Sequence, residues 1–196
     1  MMKSHLAVVA ISFVMVTAGA SAIDNTSAAA QTSPPAGYRL VWADDFNDTT
    51  VDTNRWIFRA ESKLRSTQLP ENVSVSNGCL RIELRKEKSR GKKYTGGGLI
   101  SRETFKYGYY EARMRVPPGA GWHTSFWMMK SKSAETTQPG APAQEIDVVE
   151  QNSSREYGYS AGVIDWSDPK KPRNYGRRTF GRKNVETPKL CDGFHV

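Results

Sequence analysis

The 196-residue sequence contains few cysteines, only Cys79 and Cys191. Two cysteines cannot form the disulfide framework that stabilises small extracellular domains, so a hydrophobic core must hold the fold together. With 38% hydrophobic and 10% aromatic residues, the chain can bury such a core in one globular domain. One disulfide between the two cysteines and two free thiols are both compatible with the sequence.

The sequence also lacks any stretch that approaches the ~20 apolar residues of a membrane helix. Its N-terminal apolar run, residues 6–16, follows Lys3 and precedes Ala20-Ser21-Ala22. This order is typical of a secretory signal peptide, and it is more consistent with cleavage after Ala22 than with a retained N-terminal anchor. Residues 1–22 are therefore predicted to be a signal peptide. The residue directly after the cleavage site is Ile23 rather than the cysteine that a lipid anchor needs, so we expect a secreted or periplasmic protein without a membrane anchor.

Long segments with a helical period are absent, and we find no internal repeat. Residues 23–36 are small, polar and proline-containing, which predicts a disordered lead-in. From residue 37 onward, short segments of alternating apolar and polar residues are separated by turn residues, such as Asn77-Gly78. The pattern predicts an all-β sandwich or barrel over residues 37–196. The clearest predicted strands are residues 79–85, 109–116, 122–129, 145–150 and 159–166.

Acidic residues are outnumbered, and the formal charge is +8, or +7 once Lys3 is removed with the signal peptide. The basic residues concentrate in KEKSRGKK (86–93) and KKPRNYGRR (170–178). Two solvated loops would explain them. Attraction to a polyanion, either nucleic acid or an acidic or sulphated polysaccharide, is the alternative. Secretion and the lack of a helix-borne basic stripe argue against nucleic acid.

The acidic residues that are present cluster in QEIDVVEQ (144–151), where Glu145, Asp147 and Glu150 alternate with β-branched residues. Strand alternation places Glu145 and Asp147 on one face and would turn Glu150 into the core, where a charge is costly. One β-bulge near Val148-Val149 returns Glu150 to the face of Glu145. The sequence therefore predicts a bulged strand with three carboxyl groups in a row.

Three neighbouring carboxyl groups cannot all ionise easily, so we expect the pKa of at least one to rise toward neutrality. A retaining glycoside hydrolase uses one ionised carboxylate and one protonated carboxyl group, and it places the two groups ~5–5.5 Å apart. Side-chain convergence, strand curvature and the bulge must together bring them that close. Trp122, Trp127 and Trp166 lie on flanking strands, where their rings can either pack in the core or stack on sugars.

The motif E-I-D-V-V-E resembles the E-x-D-x-x-E signature of glycoside hydrolase family 16. LVWADDFN (40–47) with DTNRW (52–56) is similar to the entry strand of that family, and residues 94–129 are similar to the run that precedes its acid strand. The resemblance covers residues 38–196. It implies a secreted β-jelly-roll sandwich of two antiparallel sheets that cleaves internal β-linkages of a polysaccharide with retention of configuration.

The resemblance also implies roles for individual residues. Glu145 would be the nucleophile, Glu150 the general acid and base, and Asp147 the assisting carboxylate between them. Trp127 would stack beneath a sugar ring. We expect no cofactor, although Asp45 could contribute to the structural calcium site of many members.

Three departures from the family bear on these expectations. His123 stands where laminarin-cleaving members have a cleft tryptophan, and it is predicted to line the cleft or to pack. Ile164 and Asp165 occupy a neighbourhood that often holds a histidine. The ending CDGFHV resembles the opening of a strand that members continue, so we expect a domain without its last strands.

These departures leave several outcomes open. We expect β-1,3- or mixed-linkage (β-1,3/1,4) glucan as the substrate, with a galactan such as agar or carrageenan as the alternative. We expect a monomer that binds polysaccharide. A non-catalytic carbohydrate-binding sandwich or an inactive fragment is the alternative to an enzyme.

Overall fold

The computed structural model describes residues 7–17, 34–105, 107–118, 121–129, 144–152, 157–165 and 183–196. Apart from a short 3-10 helix at Pro70–Asn72, the regular structure of these residues is entirely β. None of their helices has the length and hydropathy of a membrane span. The chain divides into two compact units, Met1–Pro117 with Gly193–Val196, and Pro118–Asp192. The predicted all-β class is confirmed.

The first unit contains ten of the strands that the structure describes. They are β1 (Ala7–Thr17), β2 (Arg39–Asp44), β3 (Trp56–Phe58), β4 (Ser62–Lys63), β5 (Ser66–Gln68), β6 (Val73–Ser76), β7 (Cys79–Leu84), β8 (Tyr94–Gly96), β9 (Leu99–Ser101) and β10 (Gly108–Arg115). Five of them form a sheet in the order β10-β1-β7-β6, with β2 also paired to β1. The pair β3-β9 and the set β4-β5-β8 form two smaller sheets.

The hairpin between β6 and β7 follows directly from the sequence. Ser76 pairs with Cys79, so the loop consists of Asn77 and Gly78 alone. Both residues have positive φ, 53° and 66°, as a type I′ turn requires. Alternation in β7 then buries Leu80 completely (0% exposed) and Ile82 nearly so. The predicted turn and the predicted apolar face are both confirmed.

Strand β10 shows the other predicted alternation, because Ala112 and Met114 are buried, as is Val116 just beyond the strand. The backbone of Met114 exchanges two hydrogen bonds with that of His195, at 2.8 and 2.9 Å. Residues 193–196 thus return to the first unit. Both cysteines are free thiols, which agrees with one of the two arrangements that the sequence allowed.

Strand β1 lies within the segment that is predicted to be a signal peptide. It runs parallel to three neighbours: β10 beside its first eight residues, β2 beside its N-terminal half and β7 beside its C-terminal half. Cleavage after Ala22 would remove this strand from the sheet. Cleavage remains a prediction.

The second unit contains one four-stranded antiparallel sheet. Its order is the sequence order of its strands, β11 (His123–Met129), β12 (Gln144–Asn152), β13 (Gly158–Asp165) and β14 (Lys183–Glu186). The predicted strands at 122–129, 145–150 and 159–166 are all present. β14 was not predicted, because Lys183-Asn184-Val185-Glu186 contains a single strong β-former.

Candidate active site

The acid strand β12 contains the predicted bulge. On the β13 side, Asp147 is opposite Gly162 and Glu150 is opposite Ser160, so two residues of β12 face one residue of β13. On the β11 side, the same shift appears, since Val149 is opposite Phe126 and Asp147 is opposite Trp127. The extra residue is at Val148-Val149. The bulge prediction is confirmed.

The bulge places the three acidic residues on one face of the sheet, because residues directly opposite each other on neighbouring strands point to the same side. Glu145, Asp147 and Glu150 are opposite Ile164, Gly162 and Ser160, which alternate regularly along β13. We call this side of the sheet the acid face. Without the bulge, Glu150 would share the opposite face with Ile146.

The three carboxyl groups differ in exposure. Asp147, in the middle, is buried (6% exposed). Glu150 keeps 19% of its side-chain surface exposed, and Glu145 is also partly exposed. A buried carboxylate flanked by two accessible ones suits a site in which the outer pair meets a ligand and the middle one acts on its neighbours. Their catalytic roles remain predictions.

The predicted aromatic residues differ from one another. Trp127 is directly opposite Asp147, on the acid face, and is partly exposed. Trp122 is 9% exposed and belongs to the buried apolar residues, which favours packing over sugar stacking. Trp166 lies outside the described residues. Of the two that the structure describes, Trp127 therefore has the geometry that a stacking platform needs.

His123 is the predicted site residue with the most direct link to an acid. Its Nε2 lies 3.4 Å from Oε1 of Glu150, and 52% of its side-chain surface is exposed. His123 is directly opposite Asn152, which is the next residue of β12 after Glu150 on the acid face. This exposure argues against packing in the core, while a cleft-lining role stays a prediction; the contact with Glu150 was not predicted.

Three polar residues on the acid face were missed by the sequence analysis: Ser125, Ser160 and Asn184. Ser125 and Ser160 flank Glu150 on either side, and Ser160 Oγ donates a hydrogen bond to Asn184 Oδ1 at 3.3 Å. Ser125 could have been identified from the sequence, because it lies two positions from both His123 and Trp127 and a strand turns all three to the same side. Ser160 and Asn184 depend on strand register, which the sequence does not encode locally.

No metal centre is apparent in the part of the chain that the structure describes, where no group of three or more His, Cys, Asp or Glu side chains is arranged to hold an ion. Around Asp45, the neighbouring Asp44 instead accepts hydrogen bonds from the Phe46 backbone and from Trp56 Nε1, at 2.9 and 2.7 Å. Calcium also binds backbone and amide carbonyl oxygens, so a calcium site that includes Asp45 stays a prediction.

The basic segment 86–93 is a tight turn in which Ser89 pairs with Lys92. Arg90 and Lys92 donate to the backbone carbonyls of Ala60 and Leu64, both at 2.8 Å. These contacts favour a structural role in a solvated loop for this segment. The second basic segment, 170–178, lies outside the described residues.

Comparison with known proteins agrees with this geometry. The beta-glucanase of Rhodothermus marinus is 26% identical over 170 residues, which cover 81% of this chain and 58% of that protein. Beta-porphyranase D of Zobellia galactanivorans is 32% identical over 134 residues, 58% of this chain and 30% of that protein. The chain thus spans little more than half the length of the first relative and less of the second.

The fold is also that of solved structures. Porphyranase B from Zobellia galactanivorans superposes with a TM-score of 0.60 at 17% identity, over 77% of this chain and 62% of that one. This likeness confirms the predicted jelly-roll class.

A family profile described as "Beta-porphyranase A-D, GH16 domain" matches residues 41–194, which include β11, β12, β13 and the acid face. The chain therefore belongs to glycoside hydrolase family 16, through a domain of the beta-porphyranase A–D type.

Proposed function

We propose that this chain is the catalytic portion of a secreted, endo-acting, retaining glycoside hydrolase that cleaves internal β-linkages of a polysaccharide. The observation that carries the proposal is the bulge in β12, which gathers Glu145, Asp147 and Glu150 on one face. A purely binding sheet has no need of such a row, because each clustered carboxylate raises the electrostatic cost of its neighbours. Membership of family 16 supports the same activity.

The proposed mechanism assigns one step to each outer acid. Glu145 attacks the anomeric carbon while Glu150 donates its proton to the departing glycosidic oxygen, and a glycosyl ester on Glu145 results. Glu150, now a carboxylate, takes a proton from water, whose oxygen displaces Glu145 and restores the β-configuration. Asp147 lies between the outer acids in sequence and is buried, so its charge acts on both at short range.

For the substrate we propose a sulphated galactan of the porphyran type. Two observations support it: the matching family profile is of the beta-porphyranase type, and the formal charge is +8, or +7 after removal of Lys3 with the signal peptide. A basic protein attracts an anionic polymer and raises its local concentration. β-Glucan is the second candidate, because the relative that covers 81% of this chain is a beta-glucanase.

The remaining expectations complete the proposal. Export with cleavage after Ala22 would deliver the enzyme to polymers outside the cell. We propose that it acts as a monomer, without a membrane anchor and without a catalytic metal. A structural calcium ion with Asp45 among its ligands remains part of the proposal as an option, and the catalytic steps do not involve it.

The test is a screen of the purified chain against porphyran, agarose, carrageenan, laminarin and mixed-linkage glucan. Endo cleavage lowers the average polymer length long before small sugars accumulate, so size-exclusion profiles separate it from exo cleavage. We expect porphyran to be cleaved, with a KM that rises between about 50 and 500 mM NaCl as screening weakens the attraction. Cleavage of laminarin with no salt effect would support the β-glucan alternative. Binding without cleavage of any polymer would show that the chain is a non-catalytic binder.

A further inference from the structure

The contact between His123 and Glu150 joins two neighbouring strands on the acid face. Ser125 is the residue directly opposite Glu150, and His123 is one step farther along β11, so the contact is diagonal. A diagonal pair of this kind is within reach of long side chains. The imidazole Nε2 lies 3.4 Å from the carboxyl Oε1.

Exposure distinguishes the two partners. The Glu150 side chain keeps 19% of its surface, while His123 keeps 52%. The imidazole therefore lies at the solvent side of the pair. A contact at this distance places the ring where it can orient the Glu150 carboxyl and act on its charge.

Among the described residues of the four-stranded sheet, the other charged side chains on the acid face are acidic. On β12, Glu145 and Asp147 share the acid face with Glu150. On β13, the residues opposite the acids are Ser160, Gly162 and Ile164, which carry no charge, and Asp165 has the opposite parity. On β14, Glu186 is on the acid face, in register with Gly158. On the described part of β11, His123 alone among the acid-face residues can be cationic.

We propose that His123 is a positioning residue for Glu150, which holds the carboxyl group toward the cleft and favours its ionised form. The proposal rests on the proposed function for its consequence in catalysis. The acidic neighbours oppose ionisation of Glu150, whereas an imidazolium, or a neutral imidazole that donates from Nε2, favours it. The balance sets the pH at which Glu150 loses the proton that it must donate in the first step.

The sign of the effect on activity follows from that step. Glu150 acts first as an acid, so kcat/KM falls as pH rises past its deprotonation. His123 favours the carboxylate and thus moves this alkaline limb to lower pH. Removal of His123 moves the limb to higher pH, by about one pH unit for an exposed pair at this distance, at the low end of the range for neighbouring charges.

The experiment compares pH profiles of kcat/KM for the full chain and for His123→Ala, His123→Gln and His195→Ala. We expect His123→Ala to shift the alkaline limb upward by about one pH unit. His123→Gln keeps a hydrogen-bond donor without a charge and should shift it less. His195→Ala is the matched control, because the backbone of His195 pairs with Met114 of β10 and not with the four-stranded sheet; we expect the alkaline limb of this variant to be unchanged. In about 1 M NaCl, the alkaline limbs of the full chain and of His123→Ala should lie closer together in pH, because salt screens the interaction between His123 and Glu150.

A second readout does not depend on activity. Carboxyl-carbon NMR of the ¹³C-glutamate-labelled protein follows Glu150 directly, with Glu150→Gln used to assign its signal. We expect its titration midpoint to rise in His123→Ala and, by less, in His123→Gln. An unchanged midpoint in both variants would overturn the proposal. If no polysaccharide is cleaved, the proposed function fails, and the NMR midpoint still decides the role of His123. If His123→Ala does not fold, His123→Gln decides it alone.

Discussion

At the scale of single residues, Trp127 is the side chain whose position favours direct contact with a sugar. It is opposite Asp147 and partly exposed on the acid face. We expect Trp127→Ala to raise KM by roughly 2- to 10-fold, with a smaller change in kcat, because a stacked ring contributes about 0.5–1.5 kcal/mol to binding. Steady-state kinetics on the cleaved polymer measures both constants. Trp127→Phe retains a ring face and should recover most of the loss, whereas an unchanged KM in both variants would exclude stacking.

Residue parity explains which site residues the sequence could predict. Trp122 and Trp127 are five positions apart, an odd number, so an extended segment turns them to opposite sides. The structure buries Trp122 and leaves Trp127 on the acid face, as parity requires. The contact between His123 and Glu150 could not be predicted in this way, because it depends on how β11 and β12 are aligned.

At the scale of elements, the bulge in β12 shows how a local pattern can predict an irregular structure. A strand with acids at 145, 147 and 150 must either bury a charge or insert a residue, and insertion costs less. The opposite case is β14, whose four residues have weak strand propensity. Tertiary pairing with β13 makes it a strand, and propensity gives no sign of that pairing.

The β6–β7 hairpin provides a stability prediction. Gly78 has a φ of 66°, and an added Cβ would lie 3.1 Å from the Asn47 side-chain oxygen. We expect Gly78→Ala to lower the free energy of unfolding by about 1–2 kcal/mol, the cost of a left-handed conformation for a residue with a Cβ. Urea denaturation measures the change. Gly193→Ala is the matched control, because its Cβ would meet nothing within 4 Å. Equal effects of the two substitutions would contradict the turn assignment.

Strand β1 was not predicted, since the apolar core of a signal peptide and a buried β-strand have the same composition. Eight residues of β10 pair with β1, so the exchange of their amides tests directly whether β1 belongs to the sheet. We expect the amides of residues 108–115 to exchange hydrogen faster in a chain that begins at Ile23 than in the full chain, because β10 then loses one neighbour. Hydrogen exchange followed by mass spectrometry resolves this segment. β12 in the second unit is the internal control, and equal exchange of β10 in both chains would show that β1 does not occupy the sheet.

At the scale of the whole molecule, alternation and turn residues were sufficient to predict the all-β class, whereas the order of strands in each sheet was not predictable. Alternation is local, but pairs such as β7 with β1 join residues more than sixty positions apart. The boundary between the two compact units falls at Pro117-Pro118, just after the predicted strand 109–116, and proline there cannot donate a backbone hydrogen bond to continue the strand.

The central claim is that Glu145 and Glu150 act from one face of β12 as nucleophile and acid/base. Chemical rescue tests it most directly, with Glu145→Gly and Glu150→Gly assayed on an aryl β-glycoside of the preferred oligosaccharide in the presence of sodium azide. The account predicts that azide replaces the missing nucleophile in Glu145→Gly and yields the α-glycosyl azide. In Glu150→Gly, azide instead intercepts the glycosyl ester and yields the β-glycosyl azide. Full activity of Glu145→Gly without azide, or a β-azide from that variant, would contradict the account.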